Sequence, residues 1–228
     1  TSKFIITKFE VFNCNSQLIN KSLVCLTDGK AEQYLKVSNF TTVILAQKFR
    51  STNKVAIVTG SLSGIGLGIA NALAKRNFNI VLNGLTTQED LEKVEKHFKT
   101  TYPNIKAHYI YADLTRPLDC KLLVKQTIEV FGRVDVLVNN AGIFCSNKRN
   151  AIHQQRAEFP DNKWEEIISL NLSSAFYLSK ECIPHMLKNQ WGRIINISSV
   201  HGLVASVNKS AYVSAKHGIV GFTKATAL

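Results

Sequence analysis

The spacing of apolar and polar positions changes character near residue 54. Residues 1–53 carry only short apolar pieces, such as Phe4, Ile5 and Ile6 or Val43, Ile44 and Leu45, among Ser, Thr, Asn and Lys, with no evident pair of strands. From Lys54 the pattern becomes regular. Residues 55–58 form an apolar run of buried-strand type that ends in a Gly-rich turn. A helical stretch follows through Ile65, Ile69, Ala70 and Leu73, and 80–82 reads as a second strand. Thr87 and Asp90 form a capping-box pattern ahead of a helical face with Leu91, Val94 and Phe98. Residues 107–111 predict a third strand. Thr115 is placed to cap a third helix, which carries Leu123, Thr127 and Phe131 and stops at Gly132. Residues 134–138 predict a fourth strand and 193–197 a fifth. Between them a long helix spans about 161–188, with Pro184 as a kink or end, and a last helix covers 210–227.

Strands alternating with helices predict βαβ units and an α/β fold. Right-handed crossovers then give a doubly wound, Rossmann-type parallel sheet with helices on both faces. The expected domains are an N-terminal extension of unknown role, residues 1–53, and a Rossmann-type domain over 54–228. With few acids and several Lys, the extension also fits a transit peptide weakly, but Arg50 is its only Arg.

Apolar types make up 45% of the chain, enough to build a core, and no apolar run reaches the roughly 18 residues of a membrane helix. A net charge of +12 raises nucleic-acid binding, but the basic residues are dispersed, the densest pair being Lys148 and Arg149. A solvated basic surface, or one that attracts an anionic cofactor and substrate, is preferred. Cys14, Cys25, Cys120, Cys145 and Cys182 form no metal-ligand spacing, so no metal site is expected and reduced thiols are. Cys182 and His185 bracket Pro184 and read as packing.

Two motifs carry chemistry. Thr59 to Gly66, Thr-Gly-Ser-Leu-Ser-Gly-Ile-Gly, lies between the first strand and first helix. Alone it is an ordinary turn. In that position its glycines let backbone N–H groups approach a pyrophosphate at a helix N-terminus. The second is Tyr212-Val-Ser-Ala-Lys216. Residues four apart share a helix face, so the Lys216 ammonium would favour the ionised form of the Tyr212 phenol. A free phenol, with a pKa of about 10, is a poor base at neutral pH. Alone, such a pair is a surface feature. It gains weight from Asn139-Asn140-Ala141-Gly142 after the fourth strand, Asn171 in the long helix, and Ser199 after the fifth strand, 13 residues before Tyr212.

Together these motifs resemble the short-chain dehydrogenase/reductase family across residues 54–228. The resemblance implies a catalytic tetrad of Asn171, Ser199, Tyr212 and Lys216. Tyr212 would be the general acid/base and Lys216 would assist it and bind the nicotinamide ribose. Ser199 would bond the reacting oxygen, and Asn171 would hold a water in a proton relay. Implied cofactor contacts are Gly60, Ser61, Ser63, Gly64, Ile65 and Gly66, then Leu85, Asp113, Leu114, Asn140, Ala141 and Gly142, with Tyr212 and Lys216. Asp113 reads either as a turn residue before Thr115 and Pro117 or as the adenine contact at a strand end. The latter is preferred.

Within the family the chain is most similar to the bacterial-type branch that acts on 3-hydroxybutyrate, through Ser63 to Ala70, Ile80 to Gly84, and above all Gly192 to Leu228. By that resemblance Ser199, His201 and Lys209 bind substrate, the last two holding its carboxylate. From the residues alone His201 is a loop histidine and Lys209 a solvated lysine. The branch has a substrate-contacting Gln where this chain has Phe144, and 144–158 is longer here, with Gln154 or Gln155 as candidate substitutes.

The expected function is an NAD-dependent oxidoreductase interconverting a small 3-hydroxy acid and its 3-oxo acid. The alternatives are an NADPH-dependent 3-oxoacyl-carrier reductase and a non-catalytic nucleotide-binding protein. The expected setting is a cytoplasmic homo-oligomer, a tetramer by resemblance, or one of the mitochondrial matrix, with a small-molecule hydroxy acid as its partner and neither nucleic acid nor membrane. The family continues with two more strands, so the Rossmann-type domain is expected to be C-terminally truncated at Leu228 and the 228 residues alone to turn over little.

Overall fold

The computed structural model describes residues 54–144 and 159–228 in full and, before residue 54, the backbone of two strands. These are β1 (Ile6–Glu10) and β2 (Ser22–Leu26), paired antiparallel with Ile6 opposite Leu26. The sequence reading offered no strand pair here. Each strand is five residues long. Pairing is a non-local property that spacing along the chain does not signal.

Five parallel strands form the main sheet: β3 (Val55–Val58), β4 (Asn79–Leu82), β5 (Ala107–Tyr109), β6 (Val136–Asn139) and β7 (Arg193–Asn196). Their order is β5-β4-β3-β6-β7, and β1 runs alongside β7. The helices are α1 (Gly64–Ala74), α2 (Gln88–Thr101), α3 (Pro117–Phe131), α4 (Asp161–Ile168), α5 (Ser174–Lys188) and α6 (Ser210–Thr226).

Alternation along β3 shows why the sheet is covered on both faces. Val55 and Ile57 join Leu123 and Val124 of α3 and Leu178, Cys182 and Met186 of α5. Ala56 and Val58 join Ala70, Leu73 and Ala74 of α1 and Phe98 of α2. All four β3 residues are fully buried. Each buried Val or Ile contributes roughly 1.5–3 kcal/mol. Burial on both faces explains why the strand reads as a continuous apolar run.

Several boundaries differ from the sequence reading, among them the fourth strand, which starts at Val136 and not at residue 134. The third helix begins at Pro117, with Arg116 at the N-cap position. Thr115 is drawn away from capping because its hydroxyl donates to Asp113 Oδ1 at 2.7 Å. Edge strand β5 stops at Tyr109, two residues early. The long helix is interrupted at a π-helical turn, Ser169–Ser173, and runs through Pro184 to Lys188. Pro184 and Lys180, whose carbonyl the proline frees, are both exposed, so water can satisfy that carbonyl. Thr87 does cap α2, its hydroxyl accepting from Asp90 N at 3.2 Å.

Cys120 and Cys182 are buried free thiols; burial pushes Cys120 up to about 12 and Cys182 also upward. Cys14, Cys25, Cys145, Gln154 and Gln155 lie outside the described residues. Among the described residues no His, Cys, Asp and Glu group could hold a metal ion, and no helix is long and apolar enough to cross a membrane.

Candidate active site

The strand order reverses between β3 and β6, and such a point opens a crevice at the carboxyl ends of the strands. Two turns meet there. Thr59, buried at the end of β3, accepts on Oγ1 from the backbone N–H groups of Asn140 and Ala141, each at 3.0 Å. In return the Asn140 amide donates to the carbonyls of Thr59 and Gly60, at 2.9 and 3.1 Å. Thr59 was part of the sequence motif but not of the predicted site. Its role depends on a residue about eighty positions away, which local spacing cannot signal.

The turn is built for close backbone approach. A Cβ on Gly66 would collide with the Gly60 carbonyl. Ser61 is buried, and its hydroxyl accepts from Asn83 N at 3.0 Å, so it holds the turn to the end of β4. Ser63, Gly64 and Ile65 are exposed around the N-terminus of α1. Ser63 sits at the N-cap with no capping hydrogen bond from its side chain, and the first turn holds no acidic residue. Its hydroxyl, the free N–H groups and the helix dipole can all receive an anion.

Beyond β4, Leu85 is 75% exposed. Asp113 Oδ1 accepts from Thr115 N and Oγ1, so the turn role weighed for it is present beside the strand end. Leu114 is buried among the core residues, and only its backbone remains for a ligand.

The second half of the site gathers on β7, the π turn and α6. Ser199 follows β7 and caps a short 3-10 turn, Val200–Gly202, its Oγ accepting from His201 N at 3.2 Å. The Ser199 O–H is thereby left pointing elsewhere as a donor. Ser198 Oγ donates to the Lys216 carbonyl at 3.1 Å and ties α6 to the strand end. Sequence reasoning missed Ser198, although the Ser-Ser pair was its signal.

Tyr212 and Lys216 share one face of α6, with Lys216 Nζ 5.7 Å from the Tyr212 ring centroid. Lys216 is buried and donates to the Ile197 carbonyl at 2.9 Å. Burial lowers its pKa to about 8. Asn171 lies buried in the π turn, and its amide donates to the carbonyls of Ile143 and Ile167 at 2.9 and 3.0 Å. Its Oδ1 is buried and accepts from none of the described residues. That oxygen faces Gly142, where a Cβ would strike it, and the same Cβ position is 3.7 Å from Lys216 Nζ. A buried acceptor near a buried ammonium suits a bridging water.

His201 and Lys209 also come together, with Lys209 Nζ 3.2 Å from His201 Nε2. An ammonium only donates, so Nε2 accepts and the imidazole is neutral in this arrangement. Burial first, then the Lys209 charge, lowers the His201 pKa; the Val204 backbone opposes this, but leaves Nδ1 short of a formed hydrogen bond. The His201 ring meets Tyr212 edge-on, centroids 6.0 Å apart, and Phe144 does so at 6.3 Å. A lysine ammonium with a neutral imidazole, a phenol and a hydroxyl therefore border one place.

The family model for short chain dehydrogenases matches residues 54–228. The chain belongs to the short-chain dehydrogenase family. Over 175 residues it is 46% identical to the D-beta-hydroxybutyrate dehydrogenase of Cupriavidus necator, a match that covers 77% of this chain and 64% of that protein. The enzyme of the same name from Rhizobium meliloti is also 46% identical, over 77% of this chain and 65% of its own. A 3-oxoacyl-[acyl-carrier-protein] reductase of Buchnera aphidicola is 35% identical over 78% and 68%. The chain thus spans just under two thirds of the length of the two dehydrogenases. Among solved structures, a metagenomic short-chain oxidoreductase in complex with NADP superposes with a TM-score of 0.67 at 29% identity, covering 75% of this chain and 74% of that one.

Short-chain dehydrogenases bind a nicotinamide cofactor, and the residues here fit one. The crowded Gly60–Gly66 turn and the open N-terminus of α1 suit its pyrophosphate, and the Lys216 ammonium suits ribose hydroxyls.

Proposed function

We propose that this short-chain dehydrogenase is an NAD-dependent oxidoreductase that interconverts a small 3-hydroxy acid and its 3-oxo acid. The observation that carries the reading is the His201–Lys209 pair set beside Tyr212. A small-molecule carboxylate suits a charged donor, and Lys209 supplies one, with the neutral His201 imidazole beside it within reach of the acid/base.

The bound cofactor would supply or accept the hydride. The chain's own residues do the rest. His201 and Lys209 hold the substrate carboxylate. Ser199 donates its O–H to the oxygen on the reacting carbon. The Tyr212 hydroxyl gives a proton to that oxygen in the reduction, and the Lys216 cation stabilises the phenolate that results and that takes the hydroxyl proton back in the oxidation. Asn171 Oδ1 holds the water through which that proton reaches solvent. Gly60, Ser63, Gly64, Ile65 and Gly66 surround the pyrophosphate, with Ser61 supporting their turn. Leu85, Asp113 and the Leu114 backbone border the adenosine, and Asn140, Ala141 and Gly142 the nicotinamide side. The proposed setting is a cytoplasmic homo-oligomer, a tetramer by resemblance to the family.

The acid test is esterification. A charge-assisted hydrogen bond lost from a ligand weakens binding by about 1.5–3 kcal/mol. The methyl ester of 3-hydroxybutyrate is therefore expected to react with kcat/KM at least about tenfold below the free acid. Equal rates would favour the 3-oxoacyl-carrier reductase reading, whose substrates are not free acids.

NADH is expected to bind more tightly than NADPH. Asn83, Gly84, Leu85 and Thr86 occupy the end of β4, where a 2′-phosphate would need Arg or Lys. Asn83 is buried, and its amide is engaged by the carbonyls of Ile110 and Ala112. Fluorescence titration with both cofactors decides the point; a lower Kd for NADPH overturns it.

A further inference from the structure

We infer that Phe144 is a specificity-determining residue, an apolar wall that selects 3-hydroxy acids whose alkyl end is longer than a methyl group. The inference rests on the hydroxy-acid reading above.

Phe144 follows the turn that begins at Asn140, and its ring meets the Tyr212 ring edge-on at 6.3 Å. It remains 52% exposed, so a large part of an aromatic surface is left open beside the acid/base. The neighbouring polar groups offer a substrate little on this side. The Asn139 amide donates to Asn196 Oδ1 at 2.8 Å, and the Asn140 amide is held by Thr59 and Gly60. Ala141 before Gly142, and Ile143 and Phe144 after it, supply the other side chains of this turn, and all are apolar. The charged groups border Tyr212 through His201, which pairs with Lys209. A substrate that places its hydroxyl at Tyr212 and its carboxylate at the His201–Lys209 pair has one group left to place, its alkyl end. The loop leaving His201 carries three exposed apolar residues of its own, Leu203, Val204 and Val207.

Each methylene that leaves water against such a wall is worth about fourfold in binding. The experiment measures kcat/KM for 3-hydroxybutyrate, 3-hydroxypentanoate and 3-hydroxyhexanoate with the unmodified protein, Phe144→Ala and Phe144→Gln. NADH binding and thermal melting report whether each variant keeps its site and fold. In the unmodified protein kcat/KM is expected to rise about threefold to fourfold per methylene. In both variants the rise should flatten below about twofold, with the change in KM rather than kcat, because the wall binds ground state and transition state alike. A flat or falling series in the unmodified protein overturns the inference. So does an unaltered rise in variants that still bind NADH and melt normally. Methyl esters of the three acids form a separate arm. Loss of the free-acid preference there overturns the hydroxy-acid reading itself, whereas a retained preference with no effect of Phe144 overturns only the wall.

Discussion

Tyr212→Phe is expected to abolish measurable turnover while leaving NADH binding within about twofold of the unmodified protein. The substitution removes one hydroxyl and keeps the ring that meets His201 and Phe144. General acid/base catalysis is worth about 10²–10⁴-fold, and no other described side chain is placed to replace it. Ser199 is the other hydroxyl assigned to the reacting oxygen, but an aliphatic hydroxyl is a far weaker acid than a phenol. Steady-state rates and a cofactor titration on the same preparation make the test. Rates within tenfold of the unmodified protein would show that the acid/base has been assigned to the wrong residue.

Lys216→Met should separate stability from activity, with a sign that depends on pH. Burial holds the Lys216 pKa at about 8, whereas an exposed lysine titrates at 10.5. The unfolded chain therefore binds more protons than the folded one between those values. The cost of burying the charge is full below about pH 8 and fades as pH rises toward 10.5. At neutral pH that cost is about 3 kcal/mol. Methionine removes it but leaves the Ile197 carbonyl without its donor, a loss of about 1–2 kcal/mol. Denaturant unfolding should thus find Lys216→Met more stable than the unmodified protein at pH 7, by about 1–2 kcal/mol. Near pH 10.5 the order should reverse, since lysine is then neutral in the folded state and half neutral in the unfolded one, and the lost hydrogen bond outweighs the small cost that remains. Turnover and NADH affinity should both fall at every pH. A variant less stable at pH 7 would show that Lys216 is not held as a costly buried cation.

How far the sequence could be read depended on how local each signal was. The strands were visible because β3, β6 and most of β4 are buried on both faces and admit little but Val, Ile, Leu and Ala. Strand β5 was overextended because it is the edge: Ala107, His108 and Tyr109 are only partly buried, and nothing polar marks its end. The start of the third helix was misjudged because Thr115 had two possible partners. Asp113, two residues back, won over the helix N-terminus. The Gly-rich turn and the Tyr212–Lys216 pair could be found by spacing, because helix and turn geometry fix the side chains within one element. What could not be found were the cross-links between elements: Thr59 to Asn140, Ser61 to Asn83 and Ser198 to Lys216. These depend on which strand lies beside which, and a hydroxyl in the sequence does not name its partner. The pairing of β1 with β2 was hidden for the same reason.

The π turn at Ser169–Ser173 also makes the chain's length matter at one place in the long helix. A π turn accommodates one residue more than an α-helical turn, and each residue advances a helix by about 100°. Loss of a single codon there would let α4 and α5 fuse into one regular cylinder. Everything after the deletion would be rotated by about 100° against everything before it. Asn171 could not keep facing Ile143 while Leu178, Cys182 and Met186 kept facing the sheet. Conservative point changes around Asn171 should therefore be tolerated far better than any change in residue number. In the descent of this chain, the spacing between Trp164 and Leu178 is expected to resist insertion and deletion even where the intervening residues drift.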